Sequence, residues 1–146
     1  MCIRDRIVSS GLLTGHLTKY TALRPGDCFS EPKGLVRAIN MYQVVDCTQR
    51  HDREVAALIN DPAPSGAPYP GVSALVAEGR QLCPAQVRAY TGGSYDTTQY
   101  SPRFYYPRQT NWDSGERTIV CVLSSLGGPR TGSVQSGAAI GAVATS

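Results

Sequence analysis

The stretch "RTIVCVLSS", at positions 117–125, is the most strongly β-patterned segment of the chain. Its apolar side chains alternate between two faces, one carrying Ile119, Cys121 and Leu123 and the other Val120 and Val122. Apolar residues on both faces indicate a strand that is covered on both sides. We therefore predict a central strand over 117–124, with packing elements above and below it.

Three shorter segments have the composition of strands. A Pro-Gly-Asp turn in "LRPGDCFS" leads into a strand over 27–30. The next strand covers 41–47, which is rich in β-branched and aromatic residues, and a further one lies near 103–106. These segments precede the central strand and can pair with it in a small antiparallel sheet.

Helical spacing appears between these strands. Val55, Leu58 and Ile59 fall at i, i+3 and i+4 and predict a helix that ends at the "NDP" of positions 60–62. A longer amphipathic pattern predicts a helix over 72–90, broken or restarted at Pro84. The segment "RQTNWDSG" predicts a short helical turn closed by Gly115. The order β-β-α-α-β-β gives an α+β fold with two helices on one face of the sheet.

Composition limits the classes of function. The 146 residues, 41% of them hydrophobic and 17% charged, can form one domain with short tails. The net charge is +3, but the 14 basic residues are scattered, so we predict no nucleic-acid binding. No stretch reaches the roughly 18 apolar residues of a membrane span.

The expected domain covers residues 23–126. Residues 1–22 are interpreted as a tether, of which 1–6, "MCIRDR", resemble translated adapter sequence and are treated as an artefact. Residues 127–146 are rich in Gly, Ser and Ala and are expected to form a flexible tail. We expect a signal or membrane anchor to be missing from the N-terminus, so that any membrane association would pass through it.

Four of the five cysteines are spread evenly through the predicted domain: Cys28, Cys47, Cys83 and Cys121. No two of them form a Cys-x-x-Cys pair, which argues against a zinc ribbon or a thioredoxin-like site. Two disulfides are the favoured interpretation, with a four-thiolate zinc site and free thiols as the alternatives. Disulfides would place the domain in an oxidising, extracytoplasmic compartment.

Five motifs in order resemble the septum formation domain of actinobacterial envelope proteins: "LRPGDCF", "VVDCTQRHDREV", "CPAQVRAYTG", "YYPRQTNWDSGERTIVCVL" and "TGSV". The resemblance covers roughly residues 23–134. The positions that carry it are Gly26, Asp27, Cys28, Cys47, His51, Asp52, Glu54, Val55, Trp112, Gly115, Glu116, Arg117 and Cys121. It departs from the family at Arg50, where a proline commonly precedes the histidine, and in the absent anchor. The resemblance implies a secreted or membrane-anchored module linked to cell division, and it supplies no catalytic residue.

The four cysteines allow three pairings. The predicted elements favour Cys28–Cys47, which would join the first two strands, and Cys83–Cys121, which would pin the long helix to the last strand. Each bridge would stabilise the fold by roughly 3–4 kcal/mol in the chain-entropy model.

The cluster of Cys47, His51 and Glu54 is a weak candidate for a metal site or for nucleophilic catalysis by Cys47 beside His51. Both of these interpretations need a free thiol at Cys47, which a disulfide would remove. The favoured interpretation makes Asp52 the N-cap of the predicted helix and places Glu54 at its positive end. His51 would then hydrogen-bond a nearby carbonyl, and we predict neither a metal nor a cofactor.

A possible binding face lies in "YYPRQTNWDSGER", which contains Tyr105, Tyr106, Arg108, Trp112 and Arg117. Aromatic and cationic side chains of this kind can bind a glycan or a peptide. The favoured interpretation, however, is that Trp112 fills the core and Arg117 pairs with a neighbouring acid such as Glu116 or Asp27.

The predicted function is that of a non-enzymatic envelope domain that binds division proteins or cell-wall components. One alternative is a metal-dependent or hydrolytic enzyme centred on His51, Asp52 and Glu54. The other is a structural spacer, for which substitution of Trp112 or Tyr106 would affect folding alone.

Overall fold

The computed structural model describes residues 15–35 and 41–135. Their strands are β1 (His16–Thr18), β2 (Cys28–Phe29), β3 (Tyr42–Val45), β4 (Arg53–Asn60), β5 (Tyr100–Tyr105) and β6 (Thr118–Ser125). Two helices, α1 (Val72–Thr91) and α2 (Gln109–Asp113), lie before and after β5. The strands form one antiparallel sheet in the order β1-β3-β2-β4-β6-β5. The predicted α+β class, a small antiparallel sheet with two helices, is confirmed. The predicted order β-β-α-α-β-β is wrong, because the described elements run β-β-β-β-α-β-α-β.

Strand β6 is covered on both faces, as the alternation in its sequence predicts. Ile119, Cys121 and Leu123 pack into one core with residues of α1 and with Trp112. Val120 and Val122 join a second core, whose other buried members are Leu23, Phe29, Val44 and Val55. The sheet thus has a helical face and, on its other side, an aromatic face covered by the chain before β2.

Helix α1 presents a buried stripe to the sheet, formed by Leu75, Gly79, Cys83 and Val87. The predicted break at Pro84 is wrong, because the helix continues through that residue to Thr91. Pro84 lies on the exposed side, where water can bond the carbonyl that loses its helical partner. The buried residues on either side of Pro84 hold both halves of the helix against the sheet.

The helix predicted over Val55–Ile59 is also wrong, because these residues lie in β4. A β-bulge between Val55 and Ala57 inserts one extra residue, so that both Ala56 and Ala57 pack into the helical-face core. Val55 and Leu58 consequently share the aromatic face although they are three residues apart. This spacing of three imitates the i, i+3 pattern of a helix.

Both predicted disulfides are present, Cys28–Cys47 and Cys83–Cys121, with sequence separations of 19 and 38. The first joins β2 to the residues that follow β3, and the second joins α1 to β6. Zinc bound by all four thiolates is therefore excluded, as are four free thiols.

The ordered structure extends past both ends of the domain predicted at 23–126. Residues 16–18 of the expected tether form β1, which pairs with β3, and Tyr20–Ala22 form a 3₁₀ turn. In the expected tail, the backbones of Arg130 and His51 exchange two hydrogen bonds, of 2.9 and 2.7 Å. Residues 1–14, including the suspected artefact, and 136–146 lie outside the described part. Within the described ranges, no helix has both the length and the apolar character needed to cross a membrane.

Candidate functional site: an aromatic groove and a buried polar cluster

A groove of ≈ 680 Å³ opens beside the C-terminal end of β5. Three predicted binding residues line it: Tyr105, Tyr106 and Arg108. The remaining lining residues come from the chain before β2, the start of β3, β5 itself and the surroundings of α2: Lys19, Tyr20, Thr21, Met41, Tyr42, Phe104, Thr110, Asn111, Ser114 and Glu116. Its size falls within the range of small-ligand pockets.

Four partly buried tyrosines form one wall of the groove. Tyr105 contacts the rings of Tyr20 and Tyr42 edge-on, with centroids 6.4 and 5.7 Å apart. Burial raises the pKa of Tyr105 to about 12, so its hydroxyl stays protonated at physiological pH. Tyr106 packs against Phe104 at 6.4 Å. This interlocked wall offers ring surface together with neutral hydroxyl groups.

Both signs of charge border the groove. Lys19 and Arg108 are exposed, whereas Glu116 is half-buried. Among the described residues, Oε1 of Glu116 is a buried side-chain oxygen without a hydrogen-bond partner. Burial, and then the nearby Glu116 carboxylate, raise the pKa of Tyr20 well above its usual range.

Two residues of the predicted binding face lie outside the groove. Trp112 is only 2% exposed and donates from Nε1 to the Ala67 carbonyl at 2.8 Å. The Arg117 guanidinium stacks 3.9 Å above the Trp112 ring and donates to the Trp112 carbonyl at 2.6 Å. Trp112 therefore belongs to the core, as the favoured interpretation predicted, and not to a binding face. Arg117 supports Trp112 rather than taking the acid partner expected for it.

A second polar cluster surrounds Glu54 on the helical face of the sheet. Glu54 is 4% exposed, and its Oε2 accepts hydrogen bonds from the hydroxyls of Tyr90 at 2.6 Å and Ser133 at 2.5 Å. Its Oε1 accepts from the backbone N–H of Val134 at 3.1 Å. Burial and the Glu54 carboxylate raise the pKa of Tyr90, which keeps its hydroxyl a donor. The carboxylate thus joins β4 to α1 and to the chain after β6.

His51 lies next to this carboxylate, and ligand atoms of Cys28, His51 and Glu54 are all within 4.8 Å of one another. His51 is 5% exposed, and its Nδ1–H donates to the Gln49 carbonyl at 2.7 Å, the kind of bond the sequence predicted. The Cys28 sulfur is held in a disulfide, so it is not available as a thiolate. The adjoining cavity measures ≈ 10 Å³, which is room for about one water molecule.

Asp52 does not cap a helix and does not join this cluster. Its Oδ1 accepts a hydrogen bond from the Glu31 backbone N–H at 3.0 Å and lies 3.5 Å from Nη1 of Arg53. The predicted cap is wrong because a strand begins at the next residue. The Asp52 carboxylate thus bonds outside the Glu54 cluster, although Asp52 lines the same small cavity as His51 and Glu54.

A family model described as "Septum formation" matches residues 25–144, which is most of the chain. The chain belongs to the septum formation family. Membership relates it to septum formation during cell division. No curated protein and no solved structure matches the chain significantly.

Sequence reasoning missed several residues of this septum formation domain's groove. Lys19 and Tyr20 were assigned to the tether, and Tyr42 was treated only as a strand residue. Glu116 was considered only as a partner for Arg117. The alternation of Tyr42 with Val44 was the one usable signal, because it places Tyr42 on the same face of β3 as a core residue.

Proposed function

We propose that the chain is a non-enzymatic, extracytoplasmic envelope domain that binds a polar cell-wall component during septum formation. Family membership supports the link to division. The two disulfides support an oxidising compartment, because such bonds persist in secreted and envelope proteins and are rare in the cytosol.

The groove is the observation that carries the binding proposal. Its tyrosine rings can stack on sugar rings or peptide planes, and Arg108 and Lys19 can pair with ligand carboxylates. The half-buried Glu116 side chain lines the same groove and adds a negative charge beside these cations. These groups together suit the glycan and peptide of a cell wall, which combine hydroxyls, amides and carboxylates.

The cluster around Glu54 supports a non-enzymatic role. Its carboxylate is already bonded to two hydroxyls and a backbone N–H. The cavity beside it has room for about one water molecule and for no organic substrate. Reaction at this place would require the chain after β6 to move away.

The proposal is tested by sedimentation of the purified domain with insoluble cell-wall material. Tyr106→Ala and Arg108→Ala should each weaken binding by about fivefold or more, since truncation of a central aromatic or arginine commonly costs over 1 kcal/mol. Arg103→Ala is the matched control, because Arg103 is an exposed arginine of β5 that lies outside the groove lining.

Equal weakening by Arg108→Ala and Arg103→Ala would show that binding depends on general charge and would refute the groove. Absence of sedimentation by the folded wild-type domain would refute wall binding itself. Circular dichroism of each variant confirms that the fold is retained.

A further inference from the structure

We propose that reduction of the Cys28–Cys47 disulfide converts the buried cluster into a Zn²⁺ site. Its four ligands would be Cys28, Cys47, His51 and Glu54. The proposal is independent of the groove and of any wall ligand. It concerns the reduced state of these residues. In their disulfide state they bind no zinc.

Distances within the cluster are close to those of a tetrahedral site. Zn–S bonds of about 2.3 Å and Zn–N bonds of about 2.0–2.1 Å place ligand atoms roughly 3.3–3.8 Å apart. The ligand atoms of Cys28, His51 and Glu54 already lie within 4.8 Å of one another. A contraction of about 1 Å would therefore bring them to bonding distance. The Cys47 sulfur is bonded to the Cys28 sulfur at 2.07 Å and would turn toward the other ligands once this bond is broken.

The surroundings orient the ligands as the second shell of a zinc site does. The His51 Nδ1–H donates to the Gln49 carbonyl, which leaves Nε2 as the nitrogen with a free lone pair. Glu54 is held by Tyr90 and Ser133 through Oε2. The other oxygen, Oε1, accepts one hydrogen bond, from the backbone N–H of Val134, and so retains a lone pair for a metal.

The Cys28–Cys47 disulfide is the more accessible of the two. Cys47 is half-buried, whereas Cys28, Cys83 and Cys121 are buried. A dithiol reductant would attack through its thiolate, form a mixed disulfide with Cys47 and leave as a cyclic disulfide. Two electrons and two protons thereby pass to Cys28 and Cys47. Binding of Zn²⁺ then releases the two thiol protons, since only thiolates coordinate the metal.

The test uses the full chain carrying Cys2→Ser, which removes the fifth cysteine. Limited reduction is followed by alkylation and mass spectrometry, which should show Cys28 and Cys47 reduced while Cys83–Cys121 stays intact. The same sample, not alkylated, is titrated with Co²⁺ as a coloured substitute for Zn²⁺. We expect one equivalent with a thiolate-to-metal absorption band, displaced by Zn²⁺, and no such band for the oxidised protein.

His51→Ala should weaken metal binding by the reduced protein at least tenfold, and Glu54→Gln should do the same. His16→Ala is the matched control, since His16 is the other histidine of the chain and is exposed in β1. Each variant is first shown to fold in its oxidised form by circular dichroism. Failure of the reduced protein to bind Co²⁺ would overturn the proposal, whether it stays folded or unfolds without regaining structure on adding metal. Binding that His51→Ala and Glu54→Gln leave unchanged would also overturn it.

Discussion

Replacing Gly79 by alanine should destabilise the domain, although alanine is the better helix former. Gly79 lies inside α1 and is buried against β5. A Cβ at this position would lie 2.4 Å from Cε2, 2.5 Å from Cδ2 and 2.8 Å from Cζ of Phe104. Ordinary carbon–carbon contacts begin at about 3.5 Å, so the ring would have to withdraw by roughly 1 Å.

Two opposing effects decide the sign. Alanine in place of glycine favours a helix interior by about 0.8–1.0 kcal/mol. Extra volume in a packed core costs about 1–3 kcal/mol. The net destabilisation should therefore be about 1 kcal/mol. With the ring removed by Phe104→Ala, Gly79→Ala should instead stabilise by up to about 1 kcal/mol, because only the helix-propensity gain remains.

The measurement is a double-mutant cycle of urea unfolding under non-reducing conditions. Ala77→Gly is the control for helix propensity, since Ala77 is an exposed residue of the same helix and its replacement should cost about 1 kcal/mol. If Gly79→Ala stabilises the wild-type and Phe104→Ala backgrounds equally, the close approach of α1 to Phe104 is refuted.

Three further changes have expected results of their own. Replacing Cys83 and Cys121 by alanine opens a bridge between residues 38 apart and should lower the free energy of unfolding by about 4 kcal/mol; a loss below about 1 kcal/mol in urea would contradict the entropic argument. Burial and the Asp61 carboxyl raise the pKa of Glu78 from 4.5 to about 7, so the stability present below pH 4.5 is lost as pH rises through 7. Glu78→Gln should therefore raise the free energy of unfolding above pH 8 and leave it unchanged near pH 4. The gain should be less than about 1 kcal/mol, because solvent screens this half-exposed group. Equal effects at both pH values would refute the coupling to Asp61. Tyr90→Phe removes a hydroxyl bonded to the buried carboxylate of β4 and should cost about 1.5–3 kcal/mol in the same urea assay, whereas unchanged stability would show that this bond is dispensable.

Patterns that depend on one element were readable from the sequence. The two-faced alternation of β6 and the long stripe of α1 each report burial directly, and both were predicted within a few residues of their observed bounds. The disulfide pairing followed, because the cysteines lay on elements whose positions were already known. The helical turn before Gly115 was predicted because a glycine commonly ends such a turn, and Gly115 does adopt a positive φ of 101°.

Features that depend on contacts between distant segments were not readable. The groove joins Tyr20 to Tyr105 across 85 positions, and no local pattern links them. Tyr20 lies in a segment whose polarity suggested a tether, yet it donates a hydrogen bond to the carbonyl of Thr118 in β6. Three of the thirteen residues that line the groove, Lys19, Tyr20 and Thr21, thus come from the segment that was interpreted as a tether.

Because β4 was predicted to be a helix, the cluster around Glu54 was missed as well. In a helix capped by Asp52, Glu54 would lie in the first turn, where solvent and the helix dipole stabilise a carboxylate. In the strand, Glu54 pairs with Cys28 of β2 and faces α1. The β-bulge gives β4 a spacing of apolar residues like that of a helix. Glu54 was therefore predicted to be a surface acid, although it is a buried carboxylate beside a disulfide. The strand, rather than a helix, brings the Glu54 carboxylate within 4.8 Å of the Cys28 sulfur and the His51 ring.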